Sequence, residues 1–150
     1  LGILFDQNAA IGGTFVPFFD TLASTVRGPL FYYNRTKSPI HLTYCVRGDD
    51  GKHHVYSSKE IKIITKISDI AADVLKEPFS GSDLINLTKY IFEAKQIKNI
   101  SKEKKNEILD KYNLWKMTKY VENIIRQYPE QWFWVHPRWK KRPDGEQGMY

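Results

Sequence analysis

Residues 129–146 read PEQWFWVHPRWKKRPDGE. Three of the four tryptophans, Trp132, Trp134 and Trp139, fall here beside Arg138, Lys140, Lys141 and Arg142. Aromatic rings seek an apolar face or a membrane–water boundary. Clustered cations seek phosphate or anionic lipid. The segment is therefore either a core-anchoring tail with a solvated basic end or part of an anionic-ligand surface. Its first part, Trp132 to Val135, would be apolar on both faces of an extended chain, the pattern of a short buried strand. It follows an amphipathic stripe of Leu114, Met117, Val121, Ile124, Ile125 and Tyr128, which Pro129 ends. A helix feeding a buried strand points to an α/β arrangement.

The 150 residues suit at most one ordinary domain. A hydrophobic share of 41% with 27% charged residues is globular and excludes a disordered chain. The net charge of +6 favours anionic partners: nucleic acid, anionic membrane or phosphorylated substrate. Cys45 is the single cysteine, which excludes an intrachain disulfide and fits a reducing compartment. It reads as a buried, inert thiol. No run approaches the ~20 apolar residues of a membrane-spanning helix.

Leu1 to Phe5 (LGILF) is a continuous apolar run ending at Asp6-Gln7. It reads as a buried, parallel strand, with Asp6 at its end either a functional carboxylate facing a cleft or a cap for the following loop. Thr14 to Phe19 is a second strand candidate, with Pro17 near its end. Asp20 to Arg27 reads as a loop leading into a short helix with Asp20 as its candidate cap, which Gly28-Pro29 breaks or restarts. Ile40 to Val46 is a strand with Leu42, Tyr44 and Val46 on one face and His41, Thr43 and Cys45 on the other. Asp50-Gly51 turns it into a return strand from His53 to Ser57, extending toward Ile64. The parallel part and this hairpin are expected to share one mixed sheet. Helical spacing then joins Ile67, Ile70, Ala71, Val74 and Leu75, up to a stop at Glu77-Pro78. A further helix, capped by Ser80 or Ser82, carries Leu84, Ile85, Leu87, Tyr90, Ile91 and Phe92. The charged stretch from Lys95 to Lys105 reads as a solvated face.

Three stretches in order resemble the lipid A biosynthesis acyltransferases, the lauroyl and myristoyl transferases of the lysophospholipid acyltransferase superfamily. Asp6-Gln7 is similar to that family's DQ motif after a buried strand. Thr14-Phe15-Val16-Pro17-Phe18-Phe19, with Ala23-Ser24-Thr25 and Gly28, looks like its FVPFFG segment and continuation. Residues 129–146 resemble its terminal PEQWFWxHxRWKxRPxGE, a long and specific match. Asp20 stands where the family often has Gly, and Pro137 where Arg is common. The resemblance covers roughly 1–64 and 111–146. It implies three parts: residues 1–64 from the C-terminal part of an acyltransferase-type mixed sheet flanked by helices, a helical insertion at 65–110, and an amphipathic helix, buried aromatic strand and basic tail at 111–150.

The family carries a catalytic His-x4-Asp/Glu motif. The residues five positions beyond His41, His53, His54 and His136 are Val46, Ser58, Lys59 and Lys141, none of them acidic. The motif, with the family's membrane-anchoring helix, is expected upstream of Leu1, making this chain a C-terminal portion that is inactive alone. The implied reaction moves a fatty acyl chain from acyl carrier protein or acyl-CoA to a hydroxyl of an anionic glycolipid, a lipid A precursor, on the cytoplasmic face of the bacterial inner membrane. No cofactor or metal is expected. The resemblance makes Asp6 a supporting catalytic carboxylate. Gln7, Phe15, Phe18, Thr25, Arg138, Lys140 and Arg142 become candidate substrate contacts: aromatics along an acyl groove, cations toward phosphate or the membrane surface. Core packing is the competing account of Phe15 and Phe18, and a hydrogen-bonded structural role that of His136. Two rival readings are a degenerate, non-catalytic relative and a nucleic-acid-binding module that stacks bases on Trp132, Trp134 and Trp139. Against the latter, those rings sit in a run read as buried, and no RNP or Cys/His metal motif is present.

Overall fold

The structure, a computed structural model, describes residues 1–76 and 101–150. The expected helix with Leu84 to Phe92 and its cap lies outside the described residues. Two compact units are present: Leu1–Lys62 with Leu114–Tyr150, and Ile63–Asn113.

The first unit holds two antiparallel hairpins. In one, β1 (Thr14–Phe18) pairs with β2 (Thr21–Thr25), with Phe18 opposite Thr21 and Thr14 opposite Thr25. In the other, β3 (Thr43–Arg47) pairs with β4 (His53–Ser57). Helix α1 (Gly28–Thr36) lies between them in sequence, started by Pro29 and ended by Lys37 at φ +55°. The mixed α/β class expected from sequence is present, but the single mixed sheet is replaced by these two separate two-stranded sheets. β2 occupies most of the stretch expected to be a loop, because Phe19 and Asp20 make a two-residue turn that sends the chain straight back. Both have positive φ, +48° and +59°, the twist that tight hairpins need and that side chains other than glycine resist. The β3–β4 turn follows its sequence signature, with Gly51 at φ +75°. β4 stops at Ser57 and does not continue toward Ile64.

Leu1–Phe5 is not a strand. A strand needs a neighbour for its backbone groups, and among the described residues this run pairs with none. Phe5 is buried, whereas Leu1 and Leu4 are exposed. Cys45 is also exposed, because it lies on the outer face of β3, opposite buried Val46.

The long helix α3 spans Lys102–Gln127; its first half belongs to the second unit and its second half to the first. Leu114, Met117, Val121 and Ile125 of the expected stripe are buried in the first unit. They share the interior with polar neighbours. Thr118 Oγ1 donates to Pro17 O at 3.0 Å, and Lys116 Nζ reaches Lys62 O at 3.4 Å. After α3 a short 3₁₀ turn (Pro129–Gln131) leads into an irregular tail. Gln131 meets the Arg47 backbone twice: its Oε1 accepts from Arg47 N–H at 2.7 Å, and its Nε2 donates to Arg47 O at 3.0 Å.

The second unit contains α2 (Ile67–Val74) and the start of α3. Ile70, Val74, Ile108 and Tyr112 are buried. Tyr112 donates to Asp73 at 2.7 Å. Asn113 brackets the Ile64 backbone, accepting from its N–H and donating to its carbonyl, both at 2.8 Å.

Candidate functional site

The expected site residues converge where the tail lies across the β1–β2 hairpin. Ser24 and Thr25 end β2 and are fully buried. Ser24 Oγ donates to Ala9 O at 2.7 Å, and Ala9 N–H donates to Ser24 O at 3.0 Å. This clasp brings the 6–13 loop onto the hairpin. Gly13 is required for the approach: a Cβ there would lie 2.3 Å from Ser24 Oγ and 2.6 Å from the Ala9 methyl.

Arg138 enters this junction from the tail and is 1% exposed. It donates to Ser24 O at 2.7 Å and Thr25 Oγ1 at 2.8 Å, and its guanidinium lies 5.0 Å from the Phe18 ring centre. Its Nε is buried without a hydrogen-bond partner. Burial pushes the guanidinium down to about 10, and the negative charge of Asp6 opposes that shift. Arg138 is thus a cation at neutral pH, and Asp6 is an electrostatic partner. The physical logic is that of a charge taken out of water and kept by oriented acceptors, an aromatic face and a nearby carboxylate.

Arg142 is also tied down, donating to Leu22 O and to the Glu146 carboxylate. Trp139 packs on Phe18 with centroids 5.6 Å apart, and its indole N–H reaches Thr21 O at 3.4 Å. His136 Nε2 accepts from the Asn8 N–H at 3.0 Å; its neutral ring therefore carries the proton on Nδ1. The structural role expected for His136 is what this bond describes. Lys141 closes the seam, its N–H donating to Asn8 Oδ1 and its Nζ to Ala10 O, both at 3.2 Å.

Among the expected site residues, Asp6, Phe18, Thr25 and Arg138 are brought together. Phe15 is half-buried on β1, whereas Gln7 and Lys140 are exposed. Arg138 and Arg142 hold the tail to the hairpin rather than forming an open cationic patch. The expected strand Trp132–Val135 is absent: the segment turns, leaving Phe133 70%, Trp134 54% and Val135 81% exposed. Trp132 alone in that run goes inward, 6.1 Å from Phe18.

Sequence reading missed Glu122. It is 2% exposed, accepts from the Phe19 N–H at 2.9 Å and pairs with Lys119 at 2.9 Å. The available signal was the i, i+3 spacing of Lys119 and Glu122 within an apolar helix face.

The tail that makes this junction is also what known sequences recognise. Residues 89–141 match the family described as bacterial lipid A biosynthesis acyltransferase. Over these residues, about a third of its length, the chain is similar to that family. The match begins inside the 65–110 stretch and runs through Arg138 to Lys141. This similarity supports acyl transfer as the general function. No curated protein matched the chain. Among the described residues, no helix is long and apolar enough to cross a membrane, and no group of three or more His, Cys, Asp or Glu could hold a metal.

Proposed function

We propose that the chain is the C-terminal part of an enzyme that transfers a fatty acyl group from acyl carrier protein or acyl-CoA to a hydroxyl of a lipid A precursor or related glycolipid. The enzyme would act at the cytoplasmic face of the bacterial inner membrane. The observation that carries this reading is the family match over residues 89–141, which includes the PEQWFWVHPRWK segment. The base that deprotonates the acceptor is a His-x4-Asp/Glu pair in the upstream part of the enzyme. A carboxylate beside histidine orients the ring and stabilises the imidazolium.

This part contributes Asp6, set by the Ala9–Ser24 clasp and balanced by the buried Arg138 charge. Fixed in that way, a half-buried carboxylate can orient the acceptor hydroxyl or a cationic group of the catalytic centre. Phe15 lines the acyl groove and Phe18 backs it, while exposed Lys140 is available to acceptor phosphate. The stacking platform required by a nucleic-acid module finds less support, since Trp132 and Trp139 already pack on Phe18.

The test is Asp6→Asn in the full-length enzyme. With acyl carrier protein thioester and glycolipid acceptor, turnover should fall at least about a hundredfold, a general acid–base scale of loss, with an unchanged melting midpoint. Turnover within a few-fold of wild type would refute the role. The 150-residue chain alone should show none; turnover by it would refute the upstream base.

A further inference from the structure

Two loops of the first unit carry exposed apolar tips and are tied to each other. One spans residues 8–13 and presents Ile11, 94% exposed. The other spans residues 132–141 and presents Phe133, Trp134 and Val135 in succession. The tie consists of the Asn8–His136, Lys141–Asn8 and Lys141–Ala10 hydrogen bonds. The second loop is further fixed by Trp132 on Phe18 and by buried Arg138. These apolar residues therefore project from a braced frame.

Two details point to the medium they fit. The Trp134 indole N–H donates to Pro129 O at 2.6 Å. Its polar atom is already satisfied, so the ring can leave water without stranding a donor. Exposed Lys140 and Lys141 lie five and six residues beyond Val135 in the same loop, Lys141 held by its bond to Ala10 O, and supply positive charge on the frame that carries the tip. An apolar wedge with a cationic shoulder complements the acyl-chain boundary and headgroups of an anionic bilayer.

We propose that Phe133, Trp134 and Val135 insert into the interfacial layer of anionic membranes, with Lys140 and Lys141 at headgroup level. This deepens the acyl-transfer reading by naming how the protein meets its lipid phase, and rests on that reading only for the choice of membrane. The occupant is a lipid bilayer; a second copy of the chain is the principal competitor.

The experiment uses the full chain and vesicles of phosphatidylglycerol and phosphatidylethanolamine, with phosphatidylcholine vesicles as the neutral control. Wild type should cosediment with the anionic vesicles and less so as salt rises. Lipids brominated at shallow acyl positions should quench tryptophan emission, and Trp134→Phe should remove most of that quenching. The triple variant Phe133→Ser, Trp134→Ser, Val135→Ser alters exposed positions and should keep its circular dichroism. It should lose at least about tenfold in vesicle partitioning, given the apolar area withdrawn. Equal partitioning of the variant, absent quenching in wild type, or equal binding to neutral vesicles would overturn the proposal. So would a lipid-free wild-type dimer that the triple variant converts to monomer. If the variant unfolds, the quenching difference between wild type and Trp134→Phe decides. Vesicle binding requires no turnover, so a protein that binds through this tip but transfers no acyl group supports this inference while the acyl-transfer reading fails.

Discussion

Arg138 donates to Thr25 Oγ1 at 2.8 Å across 113 residues of sequence. With the bond to Ser24 O, this contact fixes the tail to the end of β2 from inside the protein. Arg138→Ala should remove two charge-assisted bonds and the cover over Phe18, costing about 3 kcal/mol. Arg138→Lys should recover less than half of that, because one ammonium cannot reproduce the guanidinium fork. Denaturant midpoints of the two variants measure both effects; a midpoint for Arg138→Ala equal to wild type would show that the tail is held elsewhere.

The same residue sets a pH dependence. Burial lowers the Arg138 pKa from its ordinary value to about 10 in the folded protein. The unfolded chain then binds the proton more tightly, so between these values unfolding takes up a proton. The penalty for burying the charge is complete below about pH 10 and is relieved as pH rises above it toward the ordinary arginine value. The stability of wild type relative to Arg138→Met should therefore increase with pH across that window. Paired thermal melts at pH 8 and 11 would read it, and an unchanged difference would contradict it.

Asp20 sits in the β1–β2 turn at φ +59°. Glycine adopts that conformation without the Cβ penalty. The ion pair it would give up is weak: Lys119 Nζ lies 4.0 Å from an Asp20 carboxylate that is 56% exposed. Asp20→Gly should stabilise the protein by up to about 1 kcal/mol, visible as a raised melting temperature. A lowered one would mean that the carboxylate matters more to Lys119 than its exposure suggests.

Glu122 stands below the same turn and accepts the Phe19 N–H while facing Lys119. Glu122→Leu takes the carboxylate away from a buried cation and a part-buried amide, and should cost about 3–5 kcal/mol. Glu122→Gln, which retains an acceptor for Phe19, should cost less. Chemical denaturation would rank them, and amide exchange at Phe19 should quicken most in the leucine variant.

The legible parts of the fold were those whose pattern is local. The alternation of Tyr44, Val46 and their polar neighbours gave β3, and Leu114, Met117, Val121 and Ile125 gave the buried stripe of α3. Leu1–Phe5 failed because an apolar run says nothing of whether a neighbouring strand is present to receive its backbone groups. Trp132–Val135 failed because a projecting apolar tip and a buried strand share one composition; the tight turn that parts them is set by anchors at Trp132 and His136. In the candidate site, Asp6, Thr25 and Arg138 were identifiable, but their union was not. Arg138 looked like a surface cation because its acceptors lie more than a hundred residues away in sequence.

The paired hydrogen bonds between the Gln131 side chain and the Arg47 backbone have a consequence for solution behaviour. The amide copies the donor–acceptor geometry of a peptide group, so it stands in for one rung of a third strand beside β3. An open strand edge is a template for another chain, and exposed Cys45 on that strand would add covalent capture under oxidising conditions. By occupying Arg47, Gln131 interrupts the template at one end. A single glutamine thus acts as a guard against sheet-to-sheet association, and Gln131→Ala should favour aggregates that reducing agent only partly dissolves.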